Sequence, residues 1–401
     1  MNILVLSSYL PYPLHSGGQV RLYNILKQLH KRHEITLICE IRPAQTVEDI
    51  HEMQKICNKV IAIPRKKQWT LGNIIKAGSS SHSFLVSGHT QNQIKEAVTE
   101  ELQTHDYDII HVETYYVMQN LPETRIPVVL VEHNIEYTVY KKFVERLPVL
   151  LRPLLLIDIA KIKKEEEMYW KKADALVAVS HGDATIMLKA GMSPVIVANG
   201  VNLHEFRKKE IESELQKKEK KILFIGDFKW VQNRDAVAYI IRDIWPAFQQ
   251  LLSKNEKEKI SLWIVGKTIP SSIRNISNDT TIIFDEISSS LPTPDIFRSA
   301  SVLLAPLRVG GGTSYKILES MSCGTPVVTL QMSADAIGAQ DNKSIMIGHD
   351  ANSLAMKLQT LLTDHETYAG IAQRGRELIE ENFSWEMIAK DMDAVYKRVV
   401  Q

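Results

Sequence analysis

A chain of 401 residues with 44% hydrophobic and 24% charged residues is too long for one ordinary core and reads as a soluble globular protein of two domains. Its formal net charge of +1 argues against nucleic-acid binding driven by bulk charge. The three cysteines (Cys39, Cys57 and Cys323) are far apart, odd in number and without metal-ligand spacing, so they favour a reducing compartment over a disulfide framework or a zinc site.

The opening "MNILVLSSYLPYPLHSGG" has no basic region ahead of its short apolar run. It reads as a strand ending in a loop, not as a signal peptide. No run of about 18 uninterrupted apolar residues follows, and the nearest approach, Leu147–Ala160, is broken by Arg152, Pro153 and Asp158. The expected location is therefore cytoplasmic.

After the strand "NILVLS", Leu22, Ile25, Leu26 and Leu29 recur at helical spacing and predict a helix over 19–33. "EITLICE" is a strand, 45–57 a helix, "KVIAIP" a strand and 90–104 a helix. "YDIIHVE" and "PVVLVEHN" are strands rich in β-branched residues. A long helix runs from about Pro153, well placed at a first helical position, to Lys172. "DALVAVS", a helix over 181–190 and "SPVIVANG" complete this half.

Residues 203–220 are charged and read as a surface linker. The alternation then restarts with "ILFIGDF", a helix over 233–251, "ISLWIVG", "TTIIFDE", a helix over 291–299, "SVLLAPL", a helix over 313–323 and "TPVVTL". A short strand "SIMIG" precedes helices over 351–363, 365–382 and 384–399. Strands separated by helices imply parallel sheets covered on both faces. Two such blocks imply two doubly wound α/β domains facing across a cleft, with boundaries at 1–202 and 221–383 and a separate last helix over 384–401. Ligands in such folds bind beyond the carboxyl ends of the strands.

The stretch after "SVLLAPL" carries the most chemistry. Gly310, Gly311 and Gly312 can expose backbone N–H groups, and Thr313 or Ser314 can cap the helix that follows. A helix N-terminus favours an anion such as a diphosphate. Lys316 lies one turn in, and Glu319 follows on the same face. From Thr313 to Glu319 the helix rises about 9 Å, a depth at which a carboxylate can accept ribose hydroxyls. Anion site, cation and hydroxyl acceptor in that order suit a nucleoside diphosphate. The competing reading is a glycine-rich turn with a surface Lys–Glu pair.

Other strand ends offer weaker candidates. Gly17 and Gly18 can bring amides close to a phosphate or sugar, or form a plain turn. His133 can serve a sugar hydroxyl or be structural. Gly226 and Lys229 can approach the same diphosphate, or belong to a solvated loop. Walker, dinucleotide, zinc-protease and nucleophile-elbow patterns are absent, and no metal site is expected.

These residues resemble family 4 glycosyltransferases of the GT-B fold over nearly the whole chain. The pieces are "SGGQVRLYNIL", "VEHNIE", "ADALVAVS", "VANGVN", "ILFIGDFKWVQN", "LWIVG", "APLRVGGGTSYKILESMSCGTPVV" and "NFSWEMIAKDMDAVYKRV". The resemblance implies two Rossmann-like domains, a last helix returning to the first, and a nucleoside-diphosphate sugar of UDP or GDP type as substrate without a further cofactor. It implies that Glu319 holds the donor ribose, that Lys316 and Gly310–Thr313 lie at the diphosphate, that Gly18 approaches the phosphate from the other side, and that His133 lies near the transferred sugar. The family's first glutamate of a spaced pair is replaced here by Gly311. Ser314 stands where relatives often carry Arg, a loss that Arg308 or Lys229 could make good. Gln232 stands where relatives often carry Pro.

The implied reaction is retaining, metal-independent transfer of a sugar to a hydroxyl acceptor, saccharide or lipid-linked, in bacterial cell-surface polysaccharide or glycolipid synthesis. Lys316, Arg308 and His133 are its expected catalytic groups. A nucleotide-sugar epimerase on the same fold and a non-catalytic nucleotide-sugar-binding partner remain as alternatives. "PRKKQW" and "YKKFVERLPVLLRPLLL" mix basic and apolar residues and suit either peripheral contact with an anionic membrane or an ordinary amphipathic helix. No nucleic-acid partner is expected.

Overall fold

Runs such as "ILVL", "VVLV" and "VLLA" have no polar alternation, which suits strands covered on both faces, and each becomes a strand of a parallel sheet. The computed structural model describes residues 1–400 apart from 68, 69, 71, 74–77, 79, 146–151, 211–218 and 309–312. Contacts divide the chain into two units, Met1–Ala198 with Ile388–Gln401, and Asn199–Met387.

In the first unit the strands are β1 (Asn2–Ser7), β2 (Glu34–Ile41), β3 (Lys59–Pro64), β4 (Ile109–Glu113), β5 (Val128–Glu132), β6 (Ala175–Ala178) and β7 (Val195–Ile196), in the order β3-β2-β1-β4-β5-β6-β7. Every pairing is parallel. The order reverses beside β1, the switch point at which such sheets bind ligands. The Gly17–Leu29 helix buries Leu22, Ile25, Leu26 and Leu29, the four positions its periodicity singled out. Arg21, fully buried on the same helix, donates to the carbonyls of Val197 and Ala198 at 2.7 and 2.5 Å and so ties the helix to the end of β7.

The Trp385–Val400 helix belongs to this unit from Ile388 onward. Its buried stripe is Ile388, Ala389, Met392, Val395 and Tyr396, the spacing of one helix face. Asp393 on that face lies 3.0 Å from Nε2 of His33, both side chains being almost wholly buried.

In the second unit β8 (Lys220–Ile225), β9 (Ile260–Val265), β10 (Ile282–Asp285), β11 (Val302–Ala305), β12 (Val327–Leu330) and β13 (Met346–Gly348) stand in the order β10-β9-β8-β11-β12-β13, again all parallel. Phe224, Phe228, Ile240, Trp245, Phe248 and Leu354 belong to its core. Both units are thus Rossmann-like α/β sheets.

Two stretches differ from expectation. The helix expected over 233–251 is interrupted by a wide turn at Ile240–Ile244 between Val231–Tyr239 and Trp245–Leu251. Pro246 explains it, because proline lacks an N–H and crowds the carbonyl four residues back. The segment expected as a surface linker is anchored at its start. Phe206 is buried, with its ring 6.3 Å from that of Phe297. Lys209 buries its stem, stands 5.8 Å over the Tyr368 ring and donates to the Ala300 carbonyl at 2.6 Å, a long apolar stem with a satisfied head.

Candidate functional site

The second unit places its candidates beyond the ends of β8 and β11. The helix Tyr315–Ser322 starts after Ser314, and Lys316 sits in its first turn. The Lys316 ammonium donates to Oδ1 of Asn233 at 2.8 Å and stands 4.3 Å over the Phe224 ring. Phe224 lies on β8, and Asn233 on the helix that follows β8. The same Asn233 donates through Nδ2 to the Asp227 carbonyl at 2.8 Å.

Gly226 is required here. A Cβ built on it would lie 2.6 to 2.9 Å from three atoms of the Asn233 side chain. The glycine lets Asn233 fold across the β8 loop and hold Lys316 from behind. Burial pushes the Lys316 ammonium down to about 7, against a smaller upward pull from Glu319. Burial likewise pushes the Glu319 carboxyl up to about 7, helped by the negative charge of Glu205 and opposed by Lys316. The Glu319 carboxyl makes no hydrogen bond or ion pair with a described residue, although the backbone carbonyl accepts from the Cys323 N–H at 3.0 Å. A cation and an acceptor, each short of a full complement of partners, can take up a diphosphate and a hydroxyl-bearing group.

The other expected residues fall into place unevenly. Thr313 is buried, and Asn199 from the "VANG" turn reaches its carbonyl at 3.5 Å. Gly310, Gly311 and Gly312 lie outside the described residues. Lys229 pairs with Asp227 at 3.0 Å and stands 5.5 Å over Trp230, itself 53% exposed. Arg308 is gripped by both oxygens of Asp235 at 2.9 and 3.1 Å and lies 4.3 Å over the Tyr239 ring. Its charge is committed to Asp235 as that of Lys229 is to Asp227, whereas Lys316 makes no ion pair with a described residue.

In the first unit Gly17 and Gly18 are the first two residues of their helix, capped by Ser16. A Cβ on Gly18 would lie 2.9 Å from Oη of Tyr9 and 3.5 Å from Nδ1 of His133. Glycine therefore allows the helix start to approach the Tyr9 ring, while His133 stands at ordinary contact distance. His133 follows directly after β5, and its Nε2 bonds to Oε2 of Glu113. The other Glu113 oxygen accepts from Nε2 of His111 at 2.9 Å, and Nδ1 of His111 meets Oη of Tyr396 at 2.5 Å. Burial alone would raise the Glu113 carboxyl, but His133 and His111 together hold it well below the usual carboxylate range.

Behind them lie Glu132, Glu136 and Glu166. Glu132 takes the Trp170 indole N–H at 3.2 Å, and Glu166 takes the backbone N–H groups of Glu136 and Tyr137 at 2.8 and 3.2 Å. Burial pushes Glu136 up to about 7. Among the described residues no group of three or more His, Cys, Asp or Glu is arranged to hold a metal ion.

Sequence reasoning missed Asn233, Glu113, His111, Tyr9 and Tyr396 as site residues. His111 and Glu113 carried one available signal, a polar pair two apart in an otherwise apolar strand, where same-face neighbours stand together.

Comparison with known proteins bears on the family and the fold. The family model described as Glycosyltransferase Family 4 matches residues 15–205, and that described as Glycosyl transferases group 1 matches residues 219–364. N-acetyl-alpha-D-glucosaminyl L-malate synthase of Bacillus anthracis is 22% identical over 250 residues, covering 58% of this chain and 61% of that relative. The chain thus spans about three fifths of that protein's length. Sucrose-phosphate synthase from Thermosynechococcus elongatus superposes with a TM-score of 0.69 at 16% identity, covering 100% of this chain and 99% of the other. Anabaena HepE, solved in complex with UDP-glucose, superposes with a TM-score of 0.64 at 14% identity over 99% and 100% of the two chains.

Proposed function

The chain belongs to glycosyltransferase family 4 and has the GT-B fold, and from that premise we propose that it moves a sugar from a nucleoside-diphosphate donor to a hydroxyl acceptor with retention of configuration. The observation that carries this reading is Lys316, held between the Phe224 ring and Asn233 in the first turn of a helix that also bears Glu319. Lys316 and the helix N-terminus stabilise charge that develops on the leaving diphosphate. Glu319 accepts the ribose hydroxyls. No protein nucleophile is needed when the acceptor hydroxyl attacks on the leaving-group face. His133 serves the transferred sugar. A UDP sugar is the first donor to test, because HepE is a structural neighbour solved with UDP-glucose. The acceptor is a saccharide or lipid-linked hydroxyl compound of cell-surface polymer synthesis.

The test is thermal shift of the purified protein with UDP, GDP, ADP and dTDP, beside Lys316→Ala and Glu319→Ala. A ligand at 100-fold over its dissociation constant adds about 2.7 kcal/mol. A shift with one nucleotide, lost in both variants, supports the donor site, and equal shifts in all three proteins overturn it. Release of UDP from UDP-glucose, compared between the natural chain and His133→Ala, tests the histidine separately.

Among the described residues no helix is long and apolar enough to cross a membrane. Leu155, Leu156 and Ile157 are nonetheless exposed, at 37, 46 and 58%, on the lysine-rich Arg152–Lys172 helix. That pattern supports peripheral docking on anionic lipid. Retention by anionic but not by neutral vesicles, weakened in Leu156→Ser/Ile157→Ser, is the expected result.

A further inference from the structure

We propose that Glu113 is the positioning residue for His133, holding its imidazole with the proton on Nε2 and leaving Nδ1 as an acceptor at the start of the Gly17–Leu29 helix, and that His111 and Tyr396 hold Glu113 in turn. This rests on the reading that His133 serves the transferred sugar.

The arrangement follows from the sheet. Glu113 stands opposite Val131 in the parallel pairing of β4 with β5. Residues opposite one another share a face, and so do residues two apart. His111 and Glu113 therefore share one face, and His133, the first residue past β5, meets Glu113 there. An ionised carboxylate has only acceptors. Glu113 offers one oxygen to Nε2 of His111 at 2.9 Å and the other to Nε2 of His133. Both histidines must then donate from Nε2.

Once His111 donates from Nε2, its Nδ1 is the acceptor for the Tyr396 hydroxyl at 2.5 Å. The His111 and Glu113 side chains are fully buried, and that of His133 keeps 15% exposure. Tyr9 Oη, 3.4 Å from Nε2 of His133, is a longer second neighbour of the same nitrogen. Nδ1 of His133 makes no hydrogen bond with a described residue, and it would lie 3.5 Å from a Cβ on Gly18. A chain of fixed proton positions thus runs from the Trp385–Val400 helix to one nitrogen at the switch point of the first sheet. Replacing Glu113 by glutamine keeps size and shape but puts an NH2 donor where one oxygen stood, so the ring facing that group loses its acceptor.

The experiment is long-range proton–nitrogen spectroscopy of the full chain labelled with 15N-histidine. It is run near pH 8.5, about two units above the ordinary imidazole pKa of about 6.5, and His133→Gln and His111→Gln assign the two rings. The expected result is the Nε2–H tautomer at both rings of the natural chain. Glu113→Gln should drive His133 or His111 to a mixture or to the Nδ1–H form, and Tyr396→Phe should loosen the tautomer of His111. An Nδ1–H or doubly protonated His133 in the natural chain overturns the proposal. So do tautomers that stay unchanged in Glu113→Gln and Tyr396→Phe. These spectra need no ligand. If they come out as expected while His133→Ala releases UDP from UDP-glucose as fast as the natural chain, the sugar reading fails and the positioning stands.

Discussion

Lys316 donates to Asn233 across 2.8 Å, joining two residues that lie 83 positions apart in the sequence. The bond fixes the ammonium without neutralising it, because an amide oxygen carries no charge. Burial has already brought Lys316 down and Glu319 up to about 7. In the proposed donor site, holding a diphosphate and a ribose needs Lys316 protonated and Glu319 ionised. The fraction carrying both charges is then largest near pH 7 and falls on either side.

UDP affinity should accordingly be bell-shaped in pH, as two opposed ionisations require. Glu319→Gln should keep only the limb that falls above about 7, and Lys316→Met only the limb that rises towards it. The ligand's own ionisation is common to all three proteins and cancels in the comparison. Loss of a charged hydrogen bond costs about 1.5–3 kcal/mol, on the order of 10–10²-fold in affinity. Calorimetric titration with UDP between about pH 6 and 8.5 checks this, and parallel profiles for the three proteins count against it.

Gly226 and Gly266 should respond to alanine in a definite order. At Gly226 the new methyl group meets the Asn233 side chain at 2.6 Å, and a side chain can swing away. At Gly266 it meets the Gly226 carbonyl oxygen at 2.0 Å, and only backbone movement relieves that. Overpacking of this kind costs about 1–3 kcal/mol. Gly266→Ala should lower the melting temperature more than Gly226→Ala. Gly226→Ala should instead weaken UDP binding out of proportion to its stability, because it displaces the partner of Lys316. Equal melting temperatures with unchanged UDP affinity would remove both arguments.

Much of this was legible in local sequence. β-Branched runs marked the strands, and the spacing of Leu22, Ile25, Leu26 and Leu29 marked a buried helix face. Lys316 and Glu319 could be placed on one helix face by spacing alone. Pro246 marked the interruption of the helix after β8, which the expectation of one continuous helix over 233–251 passed over. The rest depends on contacts between distant segments. Nothing near Asn233 shows that it backs Lys316, and nothing near His133 points to Glu113 or Tyr396. Arg308 read as an available cation because Asp235, its partner 73 positions away, becomes its neighbour only in the fold.

Gly18, Tyr9 and His133 form a second steric test. A methyl group on Gly18 would press Oη of Tyr9 at 2.9 Å and stand 3.5 Å from Nδ1 of His133. Gly18→Ala should reduce UDP release from UDP-glucose by displacing the Tyr9 ring, which packs edge-on against that of His133. Tyr9→Phe removes the pressed atom, so the double variant should recover part of the loss. Residues in contact show coupling of about 0.5–3 kcal/mol in such cycles. Strict additivity of the two single effects would mean that the contact does not matter for turnover.

His33 and Asp393 anchor the last helix, and their pair should make the protein acid-sensitive in a defined direction. Burial lowers the pKa of His33, and Asp393 opposes that shift through charge and hydrogen bonding, while the N-terminal ammonium and Lys397 add to it. The folded chain therefore holds the His33 proton less tightly than the unfolded chain does. Above the ordinary value of about 6.5 the residue is neutral in both states and costs nothing. As pH falls through that value the unfolded state takes up its proton first, and stability declines until the lower folded value is passed. Asp393→Asn removes the group that opposes the shift, so the folded value should drop further and the decline should steepen and extend to lower pH. Thermal melts of the two proteins between about pH 5 and 8, either side of the ordinary imidazole pKa of about 6.5, read this directly. Asparagine still fills the same volume beside His33, so an effect of packing alone would lower both ends of the profile equally. A steeper fall on the acid side only is the signature of the charge on Asp393.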